Sequence, residues 1–171
     1  GHSLRLMGRT AIATDHESVQ GDVTNLDDVR RALDGVDGVL INHMAPRNPD
    51  AYLRPDTCFG INVTGTANIL HTAQQTGIRK IVIISTTGKK PSNGAAAWLA
   101  TRPLPAQGLY GVTKECQEAL GMHYAREYGM QVSLLRVGYI VDADAMADKY
   151  GRRIGERAPL DCDRRDVGEV A

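Results

Sequence analysis

Apolar residues along the chain follow two spacings, and these predict strands that alternate with helices. Continuous apolar runs at 80–85 and 131–137 are typical of strands buried on both faces of a parallel sheet. Apolar residues three or four positions apart predict helices over 24–33, 62–77 and about 110–128. Shorter strands are predicted at 3–8, 18–23 and 35–42.

Residues at the ends of these elements support the predicted boundaries. Thr24 and Asp27 predict a capping box that opens the first helix. Gly77 and Gly129 predict the ends of the second and third helices. The short connections between alternating strands and helices predict a right-handed parallel α/β fold, with a long Gly- and Pro-rich loop at 88–108.

Polar residues follow several predicted strands directly. Asp22 follows the second strand, residues 42–45 follow the third, and residues 85–87 follow the fourth. Ligands of an open parallel sheet bind outside the carboxyl ends of its strands. A single residue of this kind is commonly a turn former, but a whole edge of them predicts a cofactor cleft.

Tyr110 and Lys114 are four positions apart at the start of the third predicted helix. Residues with this spacing share a helix face, so the phenol and the ammonium group can reach the same small volume. A phenol with a pKa of about 10 is a poor base at neutral pH, and a nearby cation favours the phenolate. The pair is therefore a candidate for proton transfer. The alternative is a half-buried aromatic residue beside a solvated lysine.

Composition limits the classes of partner and ligand. The 171 residues suffice for one domain with its own core, and 20 basic residues balance 20 acidic ones. Because the sequence has no basic stripe, a nucleic-acid partner is not expected. No apolar run approaches the roughly 20 residues that span a bilayer, so we expect a cytoplasmic protein without membrane contact.

Cysteine and histidine spacings predict no metal site. Cys58, Cys116 and Cys162 form no CxxC pair, and the five histidines show no HxxxH spacing. The acidic stretch at 142–148 has Ala147 where a calcium loop requires glycine. The cysteines are therefore expected to be reduced packing residues.

Three stretches together carry a family resemblance: GDVTNLDDVRRALDGVDGVLINHMA at 21–45, NVTGTANILHTAQQTGIRKIVIIST at 62–86 and YGVTK at 110–114. In order and spacing they resemble the extended short-chain dehydrogenases/reductases, the NAD-dependent epimerase/dehydratase family. The resemblance covers most of residues 1–141, and RDVGEVA at 165–171 is similar to a later family motif. It implies a Rossmann-like doubly wound parallel sheet, with residues 1–171 forming an NAD(P)-binding domain.

The resemblance also implies roles for individual residues. Tyr110 would be the catalytic acid/base, and Lys114 would be its partner on the nicotinamide ribose. Thr86 would supply the catalytic hydroxyl that binds the substrate oxygen, with Thr87 as the second candidate. Further residues would bind the cofactor together with Tyr110 and Lys114: Asp22 and Val23 at the adenine, Met44 and Ala45 along the dinucleotide, Asn62 near the active site, and Val137.

The activity implied is an NAD(P)-dependent oxidation, reduction or epimerisation of a sugar, a sugar acid or another small carbonyl or hydroxyl compound. Residues 109–138 are similar to uronate dehydrogenases, which favours a sugar acid. Arg9 stands where NAD-binding relatives carry a carboxylate, so it favours NADP over NAD through the 2′-phosphate. The alternatives are a regulator that binds NAD(P) without turnover and an inactive fragment. Relatives are usually homodimers, so a homodimer is expected by analogy.

The family's first strand and its glycine-rich GxxGxxG loop have no counterpart in this sequence. In the strand order 3-2-1-4-5-6 the first strand lies at the centre of the sheet. Without it we expect two half-sheets with unpaired inner edges, and further chain before residue 1. The stretch between 141 and 166 is also short for the substrate-binding segment of the family.

Overall fold

The computed structural model describes residues 2–46, 54–87, 108–149, 151–156 and 161–170. The first five strands along the chain are parallel to their neighbours: β1 Arg5–Gly8, β2 Glu17–Gln20, β3 Gly38–Ile41, β4 Lys80–Thr86 and β5 Gln131–Val137. Three shorter strands follow them: β6 Tyr139–Asp142, β7 Ala147–Asp148 and β8 Asp161–Asp163. The α-helices are α1 Leu26–Leu33, α2 Pro55–Cys58, α3 Gly65–Gln75, α4 Gly108–Tyr128 and α5 Arg164–Val170. None of these helices is both long and apolar enough to cross a membrane.

The five parallel strands form two sheets. β1 pairs with β2, and β4 pairs with both β3 and β5. No described strand joins β1 to β3, as expected for a Rossmann-like strand order without its first strand. The parallel strands and intervening helices confirm the α/β fold predicted from the sequence. The predicted loop at 88–108 lies outside the described residues, apart from Gly108, which begins α4.

Helix α3 packs between α1 and α4, and α4 also packs on β4 and β5. The core beneath these helices consists of buried apolar side chains: Val29, Leu33, Ile41, Ile69, Leu70, Ala73, Ile78, Ile81, Ile83 and Met130. Burying each large aliphatic side chain stabilises the fold by about 1.5–3 kcal/mol relative to exposure. At Gly121 the helix lies so close to the sheet that an added Cβ would be 2.7 Å from Cδ1 of Ile83. This close approach shows that Ile83 faces α4.

The predicted capping box of the first helix is wrong. Helix α1 is capped by Asn25, whose Oδ1 accepts hydrogen bonds from the backbone N–H groups of Asp27 and Asp28, at 2.9 and 3.3 Å. The hydroxyl of Thr24 instead donates to Oδ1 of Asp22, at 2.8 Å. The predicted helix ends are confirmed, since the glycines after α3 and α4 have φ angles of 79° and 62°.

The helix predicted at 62–77 begins earlier than expected. Helix α2, a π-helical turn at Phe59–Thr64 and α3 follow one another without a break. Pro55 opens this run, because its fixed φ and missing N–H suit the first turn of a helix. π-Helical turns are rare and occur frequently at functional sites. This one contains Asn62, one of the predicted site residues.

The residues after β5 form a small sheet that the sequence did not predict. β6 pairs with β7 in antiparallel and with β8 in parallel orientation. Two buried carboxylates support it: Asp148 pairs with Arg152 at 2.7 Å, and Asp163 pairs with Arg165 at 2.9 Å. These strands are only two to four residues long and too short to show an apolar period, so they could not be predicted from hydrophobic spacing.

Candidate active site

Tyr110 and Lys114 lie one turn apart near the start of α4. Nζ of Lys114 donates a hydrogen bond of 2.8 Å to the backbone carbonyl of Ile84, two residues before the end of β4. The lysine is 4% exposed and Tyr110 is half-buried. This hydrogen bond holds the first turns of α4 beside the carboxyl end of β4, which is the edge where the sequence predicts a cofactor cleft.

Lys114 has a lower pKa than an ordinary lysine. Burial, together with the positive charge of Lys149, lowers the pKa of Lys114 to about 8, against the opposing effect of Glu118. The side chain can therefore gain or lose a proton near neutral pH. In its charged form it favours an anion nearby, such as a phenolate at Tyr110.

Alternation of side chains along β4 separates the two candidate hydroxyl groups. Ile83 contacts α4, and Ser85 hydrogen-bonds Glu118 of the same helix, so the odd-numbered residues face α4. The backbone N–H of Thr87 continues the pairing with β5, through a hydrogen bond of 3.0 Å. Thr87 therefore belongs to the face of the strand that carries α4. Thr86, the last residue of β4, belongs to the opposite face.

Asn62 is completely buried and joins two parts of the candidate site. Its Oδ1 accepts a hydrogen bond from the backbone N–H of Ala45, at 2.6 Å, and its Nδ2 donates to Oγ1 of Thr113, at 2.8 Å. Its backbone carbonyl accepts a hydrogen bond from Nε2 of Gln117, at 3.0 Å. Asn62 therefore holds the chain after β3 against α4, and both polar atoms of its amide are used within the protein.

His43, which is not among the predicted site residues, lies between β3 and the π-helical turn. Its Nε2 is 3.0 Å from the carbonyl of Ile61, and since a carbonyl only accepts, this nitrogen carries the proton. Burial, followed by the charge of Lys114, lowers the pKa of His43 to about 4. The neutral imidazole of His43 therefore lies close enough to Lys114 for the charge of the lysine to affect its pKa. The position of His43 just after β3 was the feature of the sequence that could have indicated a site residue.

The residues predicted at the adenine follow β2. Oδ1 of Asp22 accepts hydrogen bonds from the N–H and the hydroxyl of Thr24, at 2.9 and 2.8 Å. The carbonyl of Val23 accepts a hydrogen bond of 2.9 Å from Nδ2 of Asn68 on α3. These contacts fix the turn between β2 and α1 at the carboxyl edge of the first sheet.

The remaining predicted residues also stand at strand ends. Arg9 follows β1 and is exposed, Met44 follows β3 and is half-buried, and Val137 ends β5 beside Thr86, its partner in the strand register. One edge of the sheet formed by β3, β4 and β5 thus carries the two candidate threonines, Lys114, Ala45, Asn62 and Val137. Arg9 and Asp22 belong to the sheet formed by β1 and β2.

A buried network next to the candidate pair was not predicted. Glu118 of α4 contacts Ser85 of β4 and Arg136 of β5. One signal for it was present in the sequence, because Glu118 continues the four-residue spacing of Tyr110 and Lys114. The pairing of Ser85 with Arg136 in the strand register is visible only in the structure.

The parallel strands and the helices between them define a Rossmann-like α/β fold. Residues 2–151 match the family model described as the NAD dependent epimerase/dehydratase family. The chain belongs to this family, as its sequence motifs predict.

Individual relatives agree with this assignment. L-arabinose 1-dehydrogenase (NAD(P)(+)) from Haloferax volcanii is 30% identical, over 81% of this chain and 64% of its own length. The crystal structure of a short-chain dehydrogenase/reductase superfamily protein from Agrobacterium tumefaciens with bound NAD superimposes with a TM-score of 0.71, at 27% identity, over 86% of this chain and 45% of that one. A mutated uronate dehydrogenase gives a TM-score of 0.72 at 18% identity, over 99% of this chain and 58% of that one, and shows the fold alone. The chain thus spans less than two thirds of each of these relatives.

Proposed function

We propose that the protein is an NAD(P)-dependent dehydrogenase that oxidises a hydroxyl group of a sugar or a sugar acid. The observation that carries this proposal is the hydrogen bond from Lys114 to Ile84, which sets Tyr110 and Lys114 beside the carboxyl edge of β4. Family membership supports a nicotinamide cofactor. The name of the relative L-arabinose 1-dehydrogenase supports a sugar as substrate and its first carbon as the reacting position.

In this mechanism Tyr110 is the base. Its phenolate takes the proton of the substrate hydroxyl, and the carbon that bears this hydroxyl becomes a carbonyl carbon. A bound nicotinamide would supply the acceptor for the hydride that this carbon loses. Lys114, in its charged form, stabilises the phenolate.

A threonine hydroxyl donates a hydrogen bond to the substrate oxygen in this mechanism. We assign this role to Thr87 in preference to Thr86, because Thr87 shares the face of β4 that carries α4 and with it Tyr110. Thr86 remains the second candidate. Both hydroxyls follow from the same family motif, and the alternation of the strand is the observation that separates them.

The described residues suit a dinucleotide at the carboxyl edges of the two sheets. Asp22 and Val23 would meet the adenosine, Met44 and Ala45 would line the middle of the cofactor, and Lys114 would hold the nicotinamide ribose as a buried cation. The glycine-rich turn that cradles a pyrophosphate has no counterpart in this sequence. Asn62 would act indirectly, because its amide is committed to Ala45 and Thr113.

Arg9 would select NADP over NAD. It follows β1, is exposed, and no carboxylate stands beside it in the sequence GRT. A guanidinium at this strand end can bind the 2′-phosphate of NADP through charge-assisted hydrogen bonds.

A cavity of about 600 Å³ beside β6 is the candidate position for the sugar. Charged side chains line much of it, among them Asp142, Asp148, Lys149 and Arg153, and such groups can hydrogen-bond hydroxyls. Lys149 also acts on the charge of Lys114, which supports a location close to the candidate pair.

Incubation of the full-length protein with NADP⁺ or NAD⁺ and a panel of pentoses, hexoses and uronates tests the proposal. The absorbance of the reduced nicotinamide reports turnover, and we expect turnover of at least one sugar or uronate. Cofactor binding without turnover across the panel would contradict the proposal and indicate a regulatory protein of the same fold.

A further inference from the structure

Glu118 is a carboxylate enclosed in the protein, with only 3% of its side chain exposed. Oγ of Ser85 donates to Oε1 at 2.5 Å. Arg136 donates from Nε to Oε1 at 2.9 Å and from Nη2 to Oε2 at 2.6 Å. Both carboxylate oxygens are therefore hydrogen-bonded, as an anion removed from water requires.

The network lies directly next to the candidate catalytic pair. Glu118 is one turn after Lys114 on α4, and Lys114 is one turn after Tyr110, so the three side chains form a row on the helix. Ser85 and Arg136 are paired in the strand register of β4 and β5. Through them, Glu118 ties α4 to the ends of the two strands that border the candidate site.

Glu118 is also a negative group that acts on Lys114. Among the described residues, the titratable and charged groups around the lysine come from four elements: Tyr110 and Glu118 on its own helix, Arg136 on β5 behind Glu118, Lys149 from the segment after β7, and the neutral His43 from the chain after β3. Burial and Lys149 both disfavour the ammonium form, whereas Glu118 favours it. An uncharged residue at position 118 would leave the lysine without this support.

We propose that Glu118 is a positioning residue for the candidate catalytic pair: its carboxylate, held by Ser85 and Arg136, keeps Lys114 protonated against the end of β4. This inference rests on the proposed function, in which charged Lys114 stabilises the phenolate of Tyr110. Well-packed apolar residues often replace a buried ion pair without loss of stability, so packing alone does not explain why a carboxylate occupies this position. The effect of its negative charge on Lys114 explains it.

A titration of Lys114 by NMR tests this role on the protein alone. Lysine labelled with ¹³C at Cε reports the protonation of each ammonium group, and the spectrum of Lys114→Met assigns the signal of Lys114. The titration is repeated in Glu118→Gln, which removes the charge, and in Glu118→Asp, which keeps it. Glu115→Gln is the matched control, because it removes a carboxylate from the neighbouring position of the same helix, on another face.

We expect Glu118→Gln to lower the titration midpoint of Lys114 by roughly one pH unit, and the alkaline limb of kcat/KM to move with it. Glu118→Asp should restore most of the midpoint, and Glu115→Gln should leave it unchanged. A folded Glu118→Gln protein with the wild-type midpoint would overturn the inference.

Glu118→Gln leaves the Arg136 guanidinium buried without its partner, which can prevent folding. The double variant Glu118→Gln/Arg136→Gln removes both charges and should lower the midpoint in the same direction but by less, because the Arg136 cation, which lies beyond Glu118, also disfavours the ammonium form. An unchanged midpoint in the double variant, or failure of both variants to fold, would assign Glu118 a structural role and overturn the inference.

The two readouts separate this inference from the proposed function. The titration needs no substrate, whereas kcat/KM requires turnover of a sugar. A lowered midpoint in a protein that turns over no substrate would refute the proposed function and, with it, the catalytic meaning of Glu118. Turnover with an unmoved midpoint would refute the role of Glu118 and leave the proposed function intact.

Discussion

The ammonium group of Lys114 is hydrogen-bonded to the backbone carbonyl of Ile84, at 2.8 Å. A backbone carbonyl does not change position with a side-chain rotamer, so the position of the lysine follows from the way α4 packs on β4. The same packing buries the lysine, lowers its pKa, and decides which face of β4 meets the start of α4.

Replacing Lys114 with methionine should remove a pH dependence of stability. The pKa of Lys114 is about 8 in the folded protein against an ordinary value of 10.5, so between these values the unfolded chain binds more protons. The free energy of unfolding therefore rises with pH in this window, by on the order of 2 kcal/mol up to pH 10. Urea unfolding of wild type and Lys114→Met from pH 7 to 10 measures the difference. Lys80→Met, at the exposed start of β4, is the control and should keep the rise. An identical rise in all three proteins would show that the pKa of Lys114 is not lowered in the folded protein.

Replacing His43 with glutamine should make the protein less sensitive to acid. The folded-state pKa of His43 is about 4 against an ordinary 6.5, so stability is fully present above pH 6.5 and is lost as the pH falls toward 4. The loss amounts to on the order of 3 kcal/mol, because a proton must enter a buried site. Thermal unfolding of both proteins at pH 7 and pH 4.5 gives the comparison, with the exposed His71→Gln as control. If His43→Gln and wild type were equally sensitive to acid, protonation of His43 would not be the cause of the stability lost at low pH.

Replacing Thr87 with valine should reduce turnover more than the same change at Thr86. Valine keeps the shape of threonine and removes the hydroxyl, and the loss of a positioned hydrogen-bond donor typically lowers kcat by about 10²-fold. Thr86→Val is the matched control, since its side chain belongs to the opposite face of β4. Steady-state kinetics on the best substrate decides between them. A larger loss at Thr86 would return the role to the residue first predicted from the sequence.

Sequence patterns were sufficient for the elements that carry the candidate pair. The uninterrupted apolar run of β4 and the spacing of Tyr110 and Lys114 depend on neighbours within one strand or one helix turn, so they are visible in a linear sequence. The sequence also predicted two separate sheets, because it shows no counterpart of the family's first strand, and no described strand joins β1 to β3.

Contacts between distant elements could not be predicted in the same way. The partners of Glu118 lie 33 and 18 residues away along the chain, and only the packing of α4 on the sheet shows that all three meet. The choice between Thr86 and Thr87 likewise depends on which face of β4 carries the helix. The cap of α1 was misassigned because Thr24 and Asn25 are adjacent and both are residue types that cap helices, so the sequence does not show which of them precedes the first turn.

Replacing Arg9 with glutamate should shift cofactor preference from NADP toward NAD. The guanidinium would bind the 2′-phosphate, whereas a carboxylate repels it and accepts hydrogen bonds from a ribose hydroxyl. The ratio of kcat/KM for the two cofactors should change by roughly tenfold or more. Arg79→Glu, at the opposite end of β4 from the site, controls for a general change of surface charge. An unchanged ratio would withdraw the preference for NADP.

The most direct test of the account is the turnover of Tyr110→Phe in the full-length protein, measured by the absorbance of the reduced nicotinamide. Phenylalanine keeps the ring and removes the oxygen that is proposed to take the substrate proton. We expect kcat to fall by about 10²-fold or more while the dissociation constant of the oxidised cofactor stays within a few-fold of wild type. Wild-type turnover in Tyr110→Phe would contradict the proposed role of the Tyr110 and Lys114 pair.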